Sequence, residues 1–529
     1  MHCASTGKNA PSQSKMHHHN PKMHHHNPKC TITIQKCTIT IQNAPPQFKN
    51  APPQNKITPP QFKITSPHFK NSLPLPPKPC KIQKQPTYRS IWKLALPAML
   101  GGIVEPVLSL TDLAVVGNIG YDSFADSNEN LSAVAAVGIA GSLISALVWI
   151  FAQMKSAISA VVSQAYGSMR MRVMSSLIPQ MIYFNAIVGV LAMLGTYFTS
   201  AWVFENLLSA TGPILEDATA YFNIRVLGFP LTLITFSIFG VFRGVQNTWW
   251  AMVISIIGGS VNIILDFIFV LGWWDLVEPM GVEGAAWASF IAQIVMFVLT
   301  IYFLLYKSKI RLIHTLRISP EFVGLLLIAG NLVLRTIVLN IALMLTHKFA
   351  NIYGTAQAAT HAVMLNLWMF SAFFLDSFAT SANAMAGKFL GARNKEAMQR
   401  NLNRNLLLSV IVSFALAGLL LIFNSSVMGL IINNEEVWNL YPLILPLFAI
   451  CLPINALAFT LDGVFKGMGK AKFLRNILFI STIFGFLPVL LIGHQFMPGL
   501  QIIWYAIIMW MVLRGFIPYF YFKKWIKRF

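Results

Sequence analysis

The chain has 529 residues, of which 55% are hydrophobic, 12% aromatic and only 11% charged, with a mean hydropathy of +0.61. Soluble domains carry roughly 25% charged residues, so this composition excludes an ordinary soluble enzyme. Lys and Arg outnumber Asp and Glu by 39 to 18. In so apolar a chain that excess belongs in loops at a membrane surface rather than on nucleic acid. Five cysteines in this length exclude a disulfide scaffold.

Residues 1–89 stand apart from the rest. They hold 13 Lys and Arg, no acid, and Cys3, Cys30, Cys37 and Cys80. Their sequence is a string of paired words: MHHHNPK begins at Met16 and Met23, and CTITIQ at Cys30 and Cys37. Pro-rich, acid-free sequence of this kind cannot bury enough apolar surface to offset its ordering entropy. It predicts a disordered basic low-complexity tail, whose words read as a translated repeat upstream of the true start. The HHHN clusters are a weak metal-ligand pattern, and no metal is assigned to them.

From Ser90 onward, apolar stretches follow one another with short polar breaks. A membrane-crossing helix needs about 20 mostly apolar residues. The pattern predicts helices near 91–117, 133–163, 177–203, 218–242, 250–272, 284–306, 320–346, 355–385, 404–432, 441–465, 473–493 and 500–522. The fold class is therefore an all-α polytopic membrane protein of about twelve helices.

The breaks alternate in charge. One set is basic, with Arg170 and Arg172, Arg243, Lys307 to Arg317, Lys388 to Arg404 and Lys466 to Arg475. The other is acidic or neutral, with Asp122 and Glu129, Glu205 and Glu216, Asp275 and Glu283, and Glu435 and Glu436; Lys348 alone breaks the pattern. The positive-inside rule then places both termini in the cytoplasm.

The sequence also repeats itself. GVFRGVQN at Gly240 matches GVFKGMGK at Gly463, an offset of 223, and SQAYGSMRMR at Ser163 aligns with GKFLGARNKE at Gly387, an offset of 224. Six helices separate the copies, so both halves share one orientation. Parallel repeats of this kind place a substrate between them. The expected division is an N-lobe over 90–318 with helices 1–6 and a C-lobe over 319–529 with helices 7–12. The loops carry no HExxH or GxSxG motif, and most are too short for a catalytic domain.

An ionisable side chain inside the bilayer costs several kcal/mol by insertion scales, so it faces a cavity or a partner. The candidates are Glu105, Asp112, Lys155, Arg225, Asp266, Arg335, Asp376 and Asp462. Asn262 and Asp266 lie four apart on one helix face, and Ser289 follows the small-residue run of the next helix. A carboxylate beside an amide and a hydroxyl can bind a proton or a small hard cation. Burial raises a carboxyl pKa toward neutrality, as proton coupling requires. The competing reading pairs each acid with Lys155, Arg225 or Arg335. Pro97 and Pro106 make the first helix kinkable ahead of Asp112. Gly101 and Gly102 alternatively serve close packing.

These residues carry a resemblance. The pieces ALPAMLGGIVEPVLSLTDLAVVG, FRGVQNTWWAMVISIIGGSVNIILDFIFVLG, GVEGAAWAS, AATHAVMLNLWMFSAFFLDSFATSANAMAGKFLGARN and LDGVFKGMGKAKFLRN, in this order, resemble the multidrug and toxic compound extrusion (MATE) transporters, in particular the DinF-like branch. The resemblance implies two parallel-related six-helix bundles facing each other in a V. It implies export of organic, often cationic, compounds in exchange for H+ or Na+ by alternating access. It places cation coupling on Asp112, with Asn262, Asp266 and Ser289 (where a Thr is frequent) tuning affinity. Lys155, Arg335, Asp376 and Asp462 are secondary polar candidates. Ser163 and Lys388 depart from the Ala and Gln common in the family, which bears on how the halves close. A lipid or oligosaccharide flippase of the wider superfamily is the alternative. No cofactor, metal or nucleic-acid partner is expected, and the coupling ion is H+ or Na+. The expected partners are small organic substrates and membrane lipids. The expected setting is a monomer in the bacterial inner membrane.

Overall fold

The computed structural model describes residues 85–116, 127–273, 277–308, 310, 312–313, 317–431 and 435–529. The predicted basic tail, up to residue 84, lies outside the described residues, and so does the side chain of Glu105.

The described chain is helical, with no strand longer than the single bridge between Trp273 and Val277. Seven helices precede residue 320: α1 Tyr88–Val116, α2 Ser127–Gly167, α3 Met171–Trp202, α4 Pro213–Val226, α5 Phe229–Gly244, α6 Trp249–Leu271 and α7 Gly281–Tyr302. Eight follow: α8 Pro320–Ile352, α9 Thr355–Gly391, α10 Lys395–Ile422, α11 Asn424–Ile431, α12 Glu435–Gly467, α13 Ala471–Ser481, α14 Leu487–Phe496 and α15 Leu500–Arg528. Among the described residues 11 spans are long and apolar enough to cross a membrane, and α4 with α5, bent by 47°, supply a twelfth. The protein is thus an integral membrane protein. Large apolar side chains such as Phe198, Ile422 and Phe484 are more than 70% exposed on its outside, as a lipid-facing surface requires.

Local sequence explains where helices begin and break. Ser319 caps α8, its hydroxyl accepting the Phe322 N–H at 3.3 Å, and Asn394 caps α10, its side chain accepting the Ala397 N–H at 2.9 Å. The predicted fourth helix is two helices, because Gly228 and Pro230 interrupt it. Proline supplies no N–H to the ladder and disfavours helix in the residue before it. Gly189 of α3 packs directly on the Pro230 backbone at this bend. The predicted ninth helix is likewise broken, at Phe423, into α10 and α11. The described residues begin at 85, and those ahead of Ser90 already pack on the rest. Gln85 donates to Glu396 at 3.1 Å, and Arg404 donates to the Pro86 carbonyl.

The repeated words have a packing role. GVFRG of α5 and GVFKG of α12 each put two glycines on one face, four apart. Gly240 meets the Lys155 carbonyl and Ile158 of α2, and Gly244 meets Val162. Gly463 and Gly467 meet the backbone of α9 at Ala379 and Asn383. Small residues at this spacing let two helix backbones approach closely. The repeat therefore builds the same crossing twice, α2 with α5 and α9 with α12.

The two halves are joined at the end that carries Arg170, Arg393 and Lys470. There α2 crosses α9 with Gly167 on the Lys388 backbone, Gly387 on the Ser163 side chain and Gly391 on the Gln164 backbone. Gln164 donates to the Gly467 carbonyl at 2.9 Å, Gln246 donates to the Ala384 carbonyl at 2.7 Å, and Arg170 pairs with Glu321 at 3.3 Å. A buried cluster continues the seam, with Ile91, Leu94 and Ala157 packed in one core with Phe378, Phe389 and Phe465. This basic end is closed in the structure. Ser163 and Lys388 sit in the closure, each with a glycine opposite, Gly387 and Gly167.

Gly463→Ala and Gly240→Ala will each destabilise the fold by about 1–3 kcal/mol through overpacking. Gly418→Ala, with open space at its Cβ, will not. Thermal unfolding of the purified variants in detergent checks this, and equal midpoints for all three would refute the close-crossing role.

Candidate functional site

Four helices of the first half bring six polar side chains together. Asp112 comes from α1, Tyr221 and Arg225 from α4, Asn262 and Asp266 from α6, and Ser289 from α7. Asp112 Oδ2 accepts from Tyr221 Oη at 3.2 Å and from Arg225 Nη1 at 3.1 Å. Arg225 also donates to Tyr221 Oη at 3.0 Å and to Ser289 Oγ. Asn262 Nδ2 donates to Ser289 Oγ at 3.1 Å and to Asp266 Oδ1 at 3.3 Å. The four residues expected at the coupling site are thus one network. Asn262 and Asp266 are no more than 1% exposed, Asp112 4% and Ser289 6%.

The charges in this network do not balance. The network holds two carboxyl groups and one guanidinium: Arg225 pairs with Asp112 while Asp266 accepts from Asn262, so one negative charge is in excess when both acids are ionised. The Asp266 carboxyl lies near enough to Asp112 for the two charges to repel. An ionised carboxylate only accepts hydrogen bonds. Asp112 Oδ1, Asp266 Oδ2 and Asn262 Oδ1 are accordingly buried without a donor. Acceptors of this kind beside two carboxyl groups have the chemistry to hold a proton or a small monovalent cation.

A cavity of about 210 Å³ adjoins the network and shares Arg225, Asn262 and Ser289 with it. Pro97 and Gly101 of α1 and Phe229, Phe236 and Phe239 of α5 give it an apolar wall. Gly101 lies against the Met252 backbone, and Val104 fills the space beside Gly259. The glycines of α1 and α6 thus hold Asp112 close to Asp266.

The structure does not gather the secondary candidates into one site. Lys155 lines the cavity, its Nζ lying 4.8 Å from the Phe236 ring centroid. Arg335 of α8 pairs with Asp462 of α12, and Arg514 of α15 donates to the same carboxylate oxygen at 3.2 Å. Asp462 is therefore a buried acid between two guanidiniums. Asp376 is exposed on α9, where its charge acts on Arg243 of α5 and Lys466 of α12. Among the described residues no group of three or more His, Cys, Asp and Glu side chains is placed to hold a metal ion.

Two members of these clusters escaped the sequence reading. Tyr221 sits one helical turn before Arg225, so a tyrosine and an arginine four apart on one face carried the signal. Arg514 interrupts the apolar run WYAIIMWMVLRGF. A lone arginine there signals a buried carboxylate partner.

Comparison with known proteins agrees with this architecture. A family model named MatE matches residues 97–268 and 332–491. The chain belongs to the MatE family, whose members are transporters and not enzymes. The protein called DNA damage-inducible protein F, of Escherichia coli strain K12, is 26% identical over 433 residues, covering 81% of this chain and 90% of that protein. The probable multidrug resistance protein NorM of Thermotoga maritima is 24% identical over 459 residues, covering 83% of this chain and 93% of that one. Among solved structures, the outward-facing conformation of a multidrug resistance MATE family transporter of the MOP superfamily superposes with a TM-score of 0.74 at 20% identity, covering 83% of this chain and 96% of that one.

Removing one partner of a buried ion pair typically costs 3–5 kcal/mol, because the other charge is stranded. Asp462→Asn strands two guanidiniums and will reduce the yield of monodisperse protein severely. Asp112→Asn leaves Asp266 near Arg225 and will be tolerated. Size-exclusion profiles of both variants test the contrast, and equal losses would contradict it.

Proposed function

We propose that the chain is a secondary active antiporter. It exports organic compounds in exchange for H+ or Na+ by alternating access, with Asp112, Asp266, Asn262 and Ser289 as the coupling site. The observation that carries this reading is a second buried carboxyl, Asp266, in a network with one guanidinium beside the cavity. One monovalent cation neutralises it. Arg225 already donates into the network, and its charge opposes a bound metal cation more than a proton attached to one carboxyl oxygen. A proton is therefore the favoured coupling ion. The name of the NorM relative supports multidrug export as the activity.

The positive-inside rule assigns the basic end, with both termini, to the cytoplasm of a bacterial inner membrane. With that orientation, the closed end is the cytoplasmic one, and the coupling site receives its ion from outside. Helices α1–α7 and α8–α15 are the two bodies that rock. The coupling ion can shift their equilibrium only by its differential affinity for the two orientations. A rearrangement of α1 at Pro97 and Pro106 is the means of changing that affinity. The second reading, a lipid or oligosaccharide flippase, is favoured by one observation, the basic residues on the cavity wall.

Efflux from dye-loaded cells expressing the full chain tests the proposal, with proton and sodium gradients imposed separately and both anionic and cationic dyes supplied. Wild-type efflux will follow the proton gradient. Asp112→Asn will fall to the level of cells without the transporter at unchanged membrane abundance. Sodium dependence would change the coupling ion, and normal gradient-driven efflux by Asp112→Asn would remove Asp112 from its role.

A further inference from the structure

Arg225 neither titrates nor leaves the buried network, because a guanidinium stays protonated in proteins and the chain holds it in place. It sits in the last turn of α4, just ahead of the bend at Gly228, where the carbonyl end of a helix favours a cation. Its bonds to Asp112 Oδ2, Tyr221 Oη and Ser289 Oγ all leave from Nη1, a nitrogen with two hydrogens. Nε is buried and finds no acceptor among the described residues. A fork able to grip a carboxylate with two parallel bonds therefore holds Asp112 by one. The second acid, Asp266, accepts from Asn262 Nδ2 at 3.3 Å, and the charges that act on it are those of Asp112 and Arg225. Two carboxyl groups this close offer two places for positive charge, and Arg225 always fills one of them.

We propose that Arg225 is a tethered counter-ion that sets both the ion count and the ion selectivity of the site. It occupies one of the two places for positive charge, so a single coupling ion is taken at a time. Its fixed charge turns the remaining place against Na+. A metal ion must keep its full charge beside the guanidinium, whereas a proton bonded to a carboxyl oxygen leaves a neutral acid there. The proton takes the acid that Arg225 leaves, and the single bond to Asp112 lets the guanidinium turn from one carboxylate to the other. Arg225 is thus a specificity-determining residue, and the inference rests on the coupling-site reading of Asp112 and Asp266. Without its charge, Asp112 Oδ1, Asp266 Oδ2 and Asn262 Oδ1, all lacking donors, are oxygen ligands of the kind hard cations take. A purely structural arginine would give the opposite result, since its loss would only weaken ion binding.

Binding of radiolabelled Na+ to the purified full-length protein in phosphatidylcholine nanodiscs, at mildly alkaline pH, tests this. With its acids ionised the network carries one negative charge in the wild type and in Arg225→Lys, two in Arg225→Met and none in Asp266→Asn. Arg225→Met combined with Asp266→Asn restores one. Na+ affinity will follow that order. Arg225→Met will bind at least about tenfold more tightly than wild type, the range of one neighbouring charge. Arg225→Lys and the double variant will stay within about threefold of wild type, and Asp266→Asn will bind most weakly. Arg225→Gln, which keeps a donor for Asp112, takes the place of Arg225→Met if that variant fails to fold. Na+ affinity no tighter than wild type in the folded neutral variants would overturn the proposal. So would equal tightening in Arg225→Lys, or wild-type affinity in Asp266→Asn. Transport of fluorescein and rhodamine 6G in proteoliposomes separates this inference from the antiporter reading. Tighter Na+ binding in Arg225→Met, with neither dye moved by the wild type under any gradient, would sink the antiporter and leave the counter-ion. Proton-driven efflux by the wild type, with Na+ affinity unchanged in Arg225→Met, would do the reverse.

Discussion

Two buried carboxyl groups in a network with one guanidinium are the constraint on which the first half of the molecule depends. An ion left uncompensated in low dielectric costs several kcal/mol, so Asp112 and Asp266 cannot both remain ionised against Arg225 alone without a further positive charge. Every neighbour is arranged around that deficit. Ser289 takes hydrogen bonds from both Arg225 and Asn262, which orients them. Tyr221 donates to Asp112 and receives from Arg225, so it fixes the pair without adding charge. A fully satisfied network would be a structural post. This one leaves three oxygens without donors, which is what the proposed uptake and release of a cation would use.

The second half shows the opposite balance. Asp462 lies between Arg335 and Arg514, so one carboxylate serves two guanidiniums and no acceptor waits for a cation. Arg514 also lies 5.0 Å from the Trp510 ring centroid, on a face where an aromatic system attracts positive charge. This cluster ties α8, α12 and α15 together. The duplication thus kept the helix crossings and diverged in its polar chemistry. One feature persists in both copies: Arg243 and Lys466 occupy equivalent places in GVFRG and GVFKG, and the charge of Asp376 acts on both.

Much of this was legible in the sequence because a membrane simplifies the code. Apolar length gave the spans, and the 223-residue offset gave the duplication. The i,i+4 spacing of Asn262 and Asp266 gave part of the buried polar network. What stayed hidden depends on distance between helices. Nothing in the spacing says that Arg225 reaches Asp112 rather than another acid, since both readings leave the same letters in the same spans. The bend at Gly228 escaped because a Gly-Phe-Pro step inside an apolar run still satisfies a hydropathy window. Asp462 looked similar to Asp112 as an isolated intramembrane acid, and only the approach of Arg335 and Arg514 separates a locked pair from an open one.

The position of α1 connects the network to the closure. It packs on α6 through Gly101 and Gly259, which sets the distance from Asp112 to Asp266. It also packs on α9, where Trp92 meets Phe378 edge-on at 5.4 Å. The same helix therefore touches the charge deficit at one end and the seam between the halves at the other. Its two prolines lie between those contacts, at residues 97 and 106. A proline leaves one helical hydrogen bond unmade, so bending there costs less than elsewhere along α1. A change in charge at Asp112 alters what holds the upper part of α1 in place. The lower part is packed against α9, beside the glycine-lined closure of α2 on α9, which is where the proposed cycle would carry such a change.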